Sequence, residues 1–348
     1  VTPLDQLWYG DGVAMGLMRS ALTPAALLFG AVVRLRGALY DSGMLRAHVP
    51  PIPVLSVGNV SVGGTGKTPI TSWAAATLRA AGARPAIVLR GYGGDETLVH
   101  ATLNPELPLV VDADRVRGVH TAHALGADCA ILDDAFQHRR LARTADWVLV
   151  SAERHGVARR LLPAGPLREP LSALARAQLV IVTRKSATIE NAHSVADQLQ
   201  ALLPRIGVVI CLLAPDGLVD ARDGSVLVLD RLRGARVVAI AAVGAPTAFF
   251  DQLRAAGTAE LRTVVRRDHH HFTRHDVEEL ARRGAGAEAV VCTLKDAVKL
   301  APLWPRDALP LWYVSQRVEI ERGRELIDAS FAMILSARAN SSTAGAAG

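Results

Sequence analysis

Apolar positions in this chain fall into short runs separated by stretches of helical character, and the alternation begins at residue 54. Residues 54–57 form a β-branched, apolar run of the kind that makes a buried strand, and the alanine-rich stretch 67–81 predicts a helix after it. Further short apolar runs at 86–89, 109–111, 130–132, 147–150 and 179–182 predict strands, each followed by helical or loop sequence. This alternation predicts an α/β fold with a mostly parallel sheet covered by helices on both faces. Past Leu203-Pro204 the pattern restarts, with strands expected at 208–213, 237–242 and 289–293, which predicts a second, smaller α/β unit. The expected division is an N-terminal helical segment at 1–50, a core at 51–205, a smaller unit at 206–335 and a disordered Ala/Asn/Ser/Thr/Gly tail at 336–348.

The N-terminal segment has its own pattern. The apolar stretch between Arg19 and Arg34 is shorter than the ~20 residues of a spanning helix, and Arg19, Arg34, Arg36 and Arg46 flank it. That pattern predicts a helix lying in a membrane interface, apolar face inward and arginines near lipid phosphates; a core-packing helix is the alternative. No small-residue cleavage site follows, so export is not expected.

Ligands of such sheets gather at the carboxyl ends of the strands, and the informative residues fall there. After the first strand comes Ser61-Val62-Gly63-Gly64-Thr65-Gly66-Lys67-Thr68, which follows the G-x-x-x-x-G-K-[S/T] phosphate loop with serine in the first position. Gly63, Gly64 and Gly66 allow a tight turn whose amides, Thr65 included, converge at a helix N-terminus. Lys67 then reaches the β- and γ-phosphates of ATP, and the Thr68 hydroxyl takes a place on Mg²⁺. The alternative is a plain glycine turn. Asp95 and Glu96 follow Arg90-Gly91-Tyr92-Gly93-Gly94 after the strand at 86–89; Asp95 reads either as a general base for an acceptor hydroxyl or as a solvated acidic turn. The strand at 130–132 runs into Asp133-Asp134-Ala135-Phe136-Gln137-His138, a Walker-B element with carboxylates for Mg²⁺, or else a helix cap. The proline-rich loop 159–170 carries Arg168 and Glu169, as an anion grip or a structural connector.

Composition narrows the partners. The 348 residues are 50% hydrophobic and 21% charged with a net charge of +6, which supports a sizeable core and favours anionic partners: nucleotide, nucleic acid or an acidic membrane. Aromatic residues are only 4% and no basic run is interleaved with them, so nucleic acid is not an expected partner. Cys129, Cys211 and Cys292 sit far apart in apolar runs and read as buried, reduced thiols. His269-His270-His271 is a poor chelate because successive side chains diverge; one histidine paired with a carboxylate across a cleft is the better expectation. Thr293-Leu294-Lys295-Asp296 lacks the asparagine of the guanine-reading element, which disfavours a GTPase.

Taken in this order, the motifs resemble the tetraacyldisaccharide 4′-kinase family, the lipid A kinases of the Gram-negative inner membrane. The resemblance rests on the N-terminal apolar segment, Val57-Gly58-Asn59 with the phosphate loop, Arg90 to Gly94, Asp133 to His138, Leu162 to Glu169, Asp268-His269-His270 and Lys295 to Lys299. It implies a P-loop core with a smaller C-terminal α/β domain, at the cytoplasmic face of the inner membrane. The implied reaction is ATP- and Mg²⁺-dependent phosphorylation of the 4′-hydroxyl of a tetraacyldisaccharide 1-phosphate, giving lipid IVA. By the same resemblance Asp95 is the catalytic aspartate, His269 its supporting histidine, and Glu96, Gln137, His138, Arg168 and Glu169 are candidate substrate contacts. The family's Gly-Asp-Glu-Pro element stands here as Gly94-Asp95-Glu96-Thr97, and Ala135 replaces its usual glycine. Other readings are a switch or metallochaperone ATPase, which would bring a partner surface or a thiol pair, a soluble small-molecule kinase, and a nucleotide-binding structural protein.

Overall fold

The computed structural model describes residues 3–91, 94–153, 159–244 and 246–346. Two helices, α1 (Pro3–Tyr9) and α2 (Val13–Asp41), precede the first strand, β1 (Val54–Asn59). Strands and helices then alternate as the apolar runs predict: α3 (Lys67–Ala80), β2 (Pro85–Leu89), α4 (Asp95–Leu103), β3 (Leu109–Val111), α5 (Arg115–Ala124), β4 (Cys129–Asp133), β5 (Ala145–Ser151), β6 (Leu179–Arg184) and α6 (Ile189–Leu202). The remainder comprises β7 (Gly207–Asp220), β8 (Val226–Val228), β9 (Arg236–Ala241), α7 (Pro246–Ala255), β10 (Glu260–Val265), α8 (Arg274–Arg283), β11 (Ala289–Thr293), α9 (Leu294–Leu300), β12 (Leu311–Arg322) and α10 (Arg324–Ala346).

One twelve-stranded sheet carries them in the order β10-β9-β11-β12-β7-β6-β5-β1-β4-β2-β3, with β8 attached to β7. Pairings are parallel apart from β7 with β12 and β8. β1 lies between β4 and β5 and is buried throughout, which is why it reads as an unbroken apolar run. On one face Ile70 and Leu78 of α3 and Ile327 and Phe331 of α10 pack over Leu55 and Trp147. On the other, Val195 and Leu199 of α6 cover Val148 and Val180.

The two lobes are not the linear segments the sequence predicts. Val209, Cys211 and Leu213 of β7 belong to the core of the first lobe, together with Ile327, Phe331 and Ile334 of α10. Leu218 at the far end of β7 packs instead with Trp312 and Val314 of β12 in the second lobe. The long antiparallel pair β7 and β12 thus runs through both cores, and the chain returns to the first lobe after the second is complete. A break at 206 cannot register this, because an apolar run carries no mark of the strand it pairs with. Strand β10 escaped prediction because it is a sheet edge and mostly exposed. Helix α10 also runs on to Ala346, past residue 336 where a disordered tail is expected, since its alanines sustain the helix and neither proline nor glycine interrupts it before Gly345.

The N-terminal expectation needs a similar correction. The apolar stretch is the middle of a 29-residue helix, long and apolar enough to cross a membrane by length and composition. It is not a core helix: only Ala26 and Gly30 of α2 are buried, while Val13, Leu17 and Leu28 are 82%, 67% and 69% exposed. Its polar side is tied to the first lobe. Arg139 bonds Gly37 O (3.0 Å) and Asp41 (2.6 Å), and Arg36 donates to Gln137 O (3.0 Å).

Candidate active site

The phosphate loop joins β1 to α3, as its glycines require. Gly63 and Gly66 take positive φ (121° and 85°), and a Cβ on Gly66 would stand 2.4 Å from Leu213 Cδ1, so only glycine fits there. Ser61, in place of the first glycine, needs no special conformation: it forms a bridge to Leu167, and Val62 N donates to Pro166 O (2.8 Å). Asn59 donates to Thr65 Oγ1 (3.0 Å), and Thr183 of β6 donates to Thr65 O (2.8 Å). The loop is therefore braced from both sides. Lys67 and Thr68 open α3 beside Gly64 on the wall of a 1140 Å³ cleft that runs between the lobes.

The paired aspartates part company. Asp133, at the buried end of β4, takes His100 Nε2 of α4 at 2.9 Å on Oδ2, while its Oδ1 is buried without a partner. Asp134 turns towards the cleft with φ 51° and meets Arg168 (3.0 Å) and Lys67 (3.7 Å). Burial pushes its carboxyl up, but Lys67 and Arg168 outweigh burial and hold it below the usual range. Neighbouring Glu96 goes the other way, raised by burial and then by the charge of Asp133.

Asp95 opens helix α4 and is 3% exposed. It stands in a helix first turn, not a solvated loop. His269 of the second lobe reaches across to it, Nδ1 lying 3.2 Å from Oδ1 and 3.1 Å from Oδ2. Two lysines of α9, Lys295 at 3.6 Å and Lys299 at 3.8 Å, converge on the same carboxylate. Lys295 also meets His269 Nε2 (3.2 Å) and Asp268 (3.3 Å). Among the described residues the only non-glycine positive φ values are those of Asp134 and His269 (59°), so the backbone strain falls within this site.

The other candidates divide. Gln137, His138, Arg168 and Glu96 line the cleft. Gln137 donates to Asn59 O (2.9 Å), and His138 is pushed down to about 4 by burial and by Arg115 and Arg143. Glu169 is not a cleft residue. It is buried in an ion pair with Arg176 (2.9 Å), whose guanidinium stacks over Phe136, and this pairing rigidifies the proline loop. Tyr92 and Gly93 of the glycine motif lie outside the described residues. His270 is taken by Asp276 (3.3 Å), and His271 is exposed. Asp296 is buried and caps α9 with Thr293, so that segment is a helix start. His100 and Arg115 were missed, while Lys295 and Lys299 stood in a motif that carries the resemblance but had no role assigned; their spacing, four apart on one helix face, was a further signal.

Comparison with known proteins matches this geometry to one family. The family model described as tetraacyldisaccharide-1-P 4′-kinase matches residues 18–102 and 93–332. The tetraacyldisaccharide 4′-kinase of Halorhodospira halophila is 37% identical, covering 92% of this chain and 93% of its own length. That of an Anaeromyxobacter species is 38% identical, over 92% and 94%. A crystal structure of LpxK from Aquifex aeolicus in complex with ATP superposes with a TM-score of 0.70 at 28% identity, over 90% of this chain and 99% of that one. With the phosphate loop, the acidic pair and the Asp95–His269 contact arranged around one cleft, the chain belongs to the tetraacyldisaccharide 4′-kinase family.

Proposed function

We propose that this protein is an ATP-dependent lipid kinase that phosphorylates the 4′-hydroxyl of tetraacyldisaccharide 1-phosphate to give lipid IVA. The observation that carries the reading is the cleft itself: the phosphate loop and His269, with Asp95 buried against its ring, border one cavity, and Arg36 of the apolar helix α2 lines it too. The amides of residues 63–66 and Lys67 hold the nucleotide phosphates. The residues fit Mg²⁺, since Asp133 Oδ1 is buried without a partner and Asp134 faces the cleft beside Lys67; Thr68, Asp133 and Asp134 would hold the ion, which neutralises charge on the phosphoryl oxygens. Asp95 accepts the proton of the 4′-hydroxyl as that oxygen attacks in line. His269 fixes the orientation of the carboxylate, and Lys295 and Lys299 stand 3.6 Å and 3.8 Å from it. Gln137, His138 and Arg168 contact the acceptor.

Helix α2 brings the cleft to the bilayer, with its exposed leucines and valines in the acyl region and the positively charged molecule drawn to the anionic cytoplasmic face of the inner membrane. The test is transfer of label from γ-labelled ATP to the tetraacyl disaccharide 1-phosphate in mixed micelles with Mg²⁺. Label fixed to the 4′-oxygen of the lipid is expected. Steady ATP hydrolysis with unlabelled lipid would refute the reading.

A further inference from the structure

Helix α4 brings a second side chain into the polar interior, five residues after Asp95, that the roles above leave unused. His100 is 0% exposed, and its Nε2 lies 2.9 Å from Asp133 Oδ2. A carboxylate oxygen accepts and does not donate, so the ring donates from Nε2. Its Nδ1 is buried without a partner, which makes Asp133 the ring's only hydrogen-bond partner among the described residues. Packing alone does not account for the pair. Burying an imidazole and a carboxylate away from water is costly, and one hydrogen bond offsets only part of that cost while Asp133 Oδ1 stays unmatched. Two apolar side chains would fill the same space and strand neither group.

The surroundings give the pair a use. Both oxygens of Asp134 are engaged by Arg168 (3.1 and 3.0 Å), whereas Asp133 has one oxygen held and one unmatched, on a strand paired directly with the one that leads into the phosphate loop. With Oδ2 tied to the ring the carboxylate cannot rotate, so Oδ1 is the oxygen it offers. The helix that supplies the ring is itself pinned. Asn104, at its end, donates to Ser72 Oγ of α3 (2.7 Å), and Asp95, at its start, is met by His269, Lys295 and Lys299 of the second lobe. Mg²⁺ demands near-ideal octahedral placement of its ligands, so an oxygen held in one place binds it more tightly than one on a carboxylate free to turn. We propose that His100 is a positioning residue that fixes Asp133 with Oδ1 left for Mg²⁺, an inference that rests on the ATP- and Mg²⁺-dependent kinase reading.

The test reads the metal directly. Mn²⁺ binding to the full chain with a non-hydrolysable ATP analogue, followed by the paramagnetic resonance of the ion, is compared among native protein, His100→Leu and His100→Gln, alongside analogue binding in EDTA and the melting temperature of each. His100→Leu, of similar volume but without the donor, is expected to weaken Mn²⁺ binding by about 10–100-fold and leave metal-free analogue binding unchanged. His100→Gln, whose amide N–H reaches the place of Nε2, recovers most of that affinity; a merely structural ring would make the loss follow melting temperature and not the donor. Native-like Mn²⁺ affinity in folded His100→Leu overturns the proposal, as does an equal loss in the two variants or a native protein that takes up no Mn²⁺ with the analogue. If His100→Leu does not fold, His100→Asn, whose amide is too short to reach Asp133, replaces it with the same outcomes deciding. The kinase reading is judged apart from this: native protein that takes up Mn²⁺ with the analogue but labels no lipid refutes that reading, and the Mn²⁺ titrations still decide the role of His100.

Discussion

Gly58 shows how tightly single residues are specified around the phosphate loop. A Cβ there would stand 2.7 Å from Phe136 Cβ and 2.8 Å from Phe136 N, so the backbone of the acidic loop packs directly on β1. Gly58→Ala is expected to cost about 1–3 kcal/mol in denaturant unfolding and to displace Gln137 with its neighbour. At His269 the expectation is kinetic. His269→Ala should lower kcat by about 10²-fold or more while leaving the KM for ATP near the native value, because the ring touches Asp95 and the phosphate loop is braced by Asn59 and Thr183. Residues of this kind differ in how far a sequence betrays them. Lys67 and Thr68 announce themselves, since a phosphate loop is local in sequence. His100 is invisible there: its role depends on α4 lying across β4, and one histidine in an amphipathic stretch carries no sign of the carboxylate it will meet.

At the scale of elements, the caps give a pH signature. Thr273 and Asp276 form a capping box on α8, and Asp276 also meets Arg266 and His270. Burial works against the charge of Asp276, but the Thr273 amide and hydroxyl, His270 and Arg266 outweigh it and take the carboxyl from 3.8 down to about 2. A depressed folded-state value stabilises above the unfolded one and loses that contribution as pH falls through about 2. The difference in melting temperature between native protein and Asp276→Asn is therefore expected to be full at neutral pH and to shrink below pH 3.8. Helix α10 is held by another polar contact, Trp147 Nε1 donating to Ser330 Oγ at 2.8 Å and that hydroxyl donating to Gln178 at 2.7 Å. Ser330→Ala strands a buried indole N–H and should cost about 1–3 kcal/mol by chemical denaturation. Neither strand β12 nor this docking was legible from sequence. The second half of β12 alternates charged and apolar residues, and a helix that packs on a distant core looks locally like any other.

For the whole molecule, the α/β class and the strand-loop-helix order were readable because parallel strands buried on both faces leave continuous apolar runs. The division into lobes was not, since β7 and β12 serve both cores and pairing is non-local. The same arrangement places Asp95 on one lobe and His269, Lys295 and Lys299 on the other, so the proposed base is complete only when the lobes meet. The exposed stripe of α2 makes a separate expectation. Replacing Leu17, Leu28 and Val32, which are 67%, 69% and 58% exposed, with asparagine should leave thermal stability unchanged and abolish cosedimentation with anionic vesicles; undiminished cosedimentation would remove α2 from membrane binding.

The central claim joins the phosphate loop to a base of the same lobe that His269 of the other lobe holds, and the most direct measurement is labelling of tetraacyl disaccharide 1-phosphate by γ-labelled ATP with native protein and Asp95→Ala, alongside ATP binding by both. The account predicts labelled lipid from the native chain, a rate lower by about 10²–10⁴-fold in the variant, and equal ATP affinity. Equal labelling by the two proteins would contradict it.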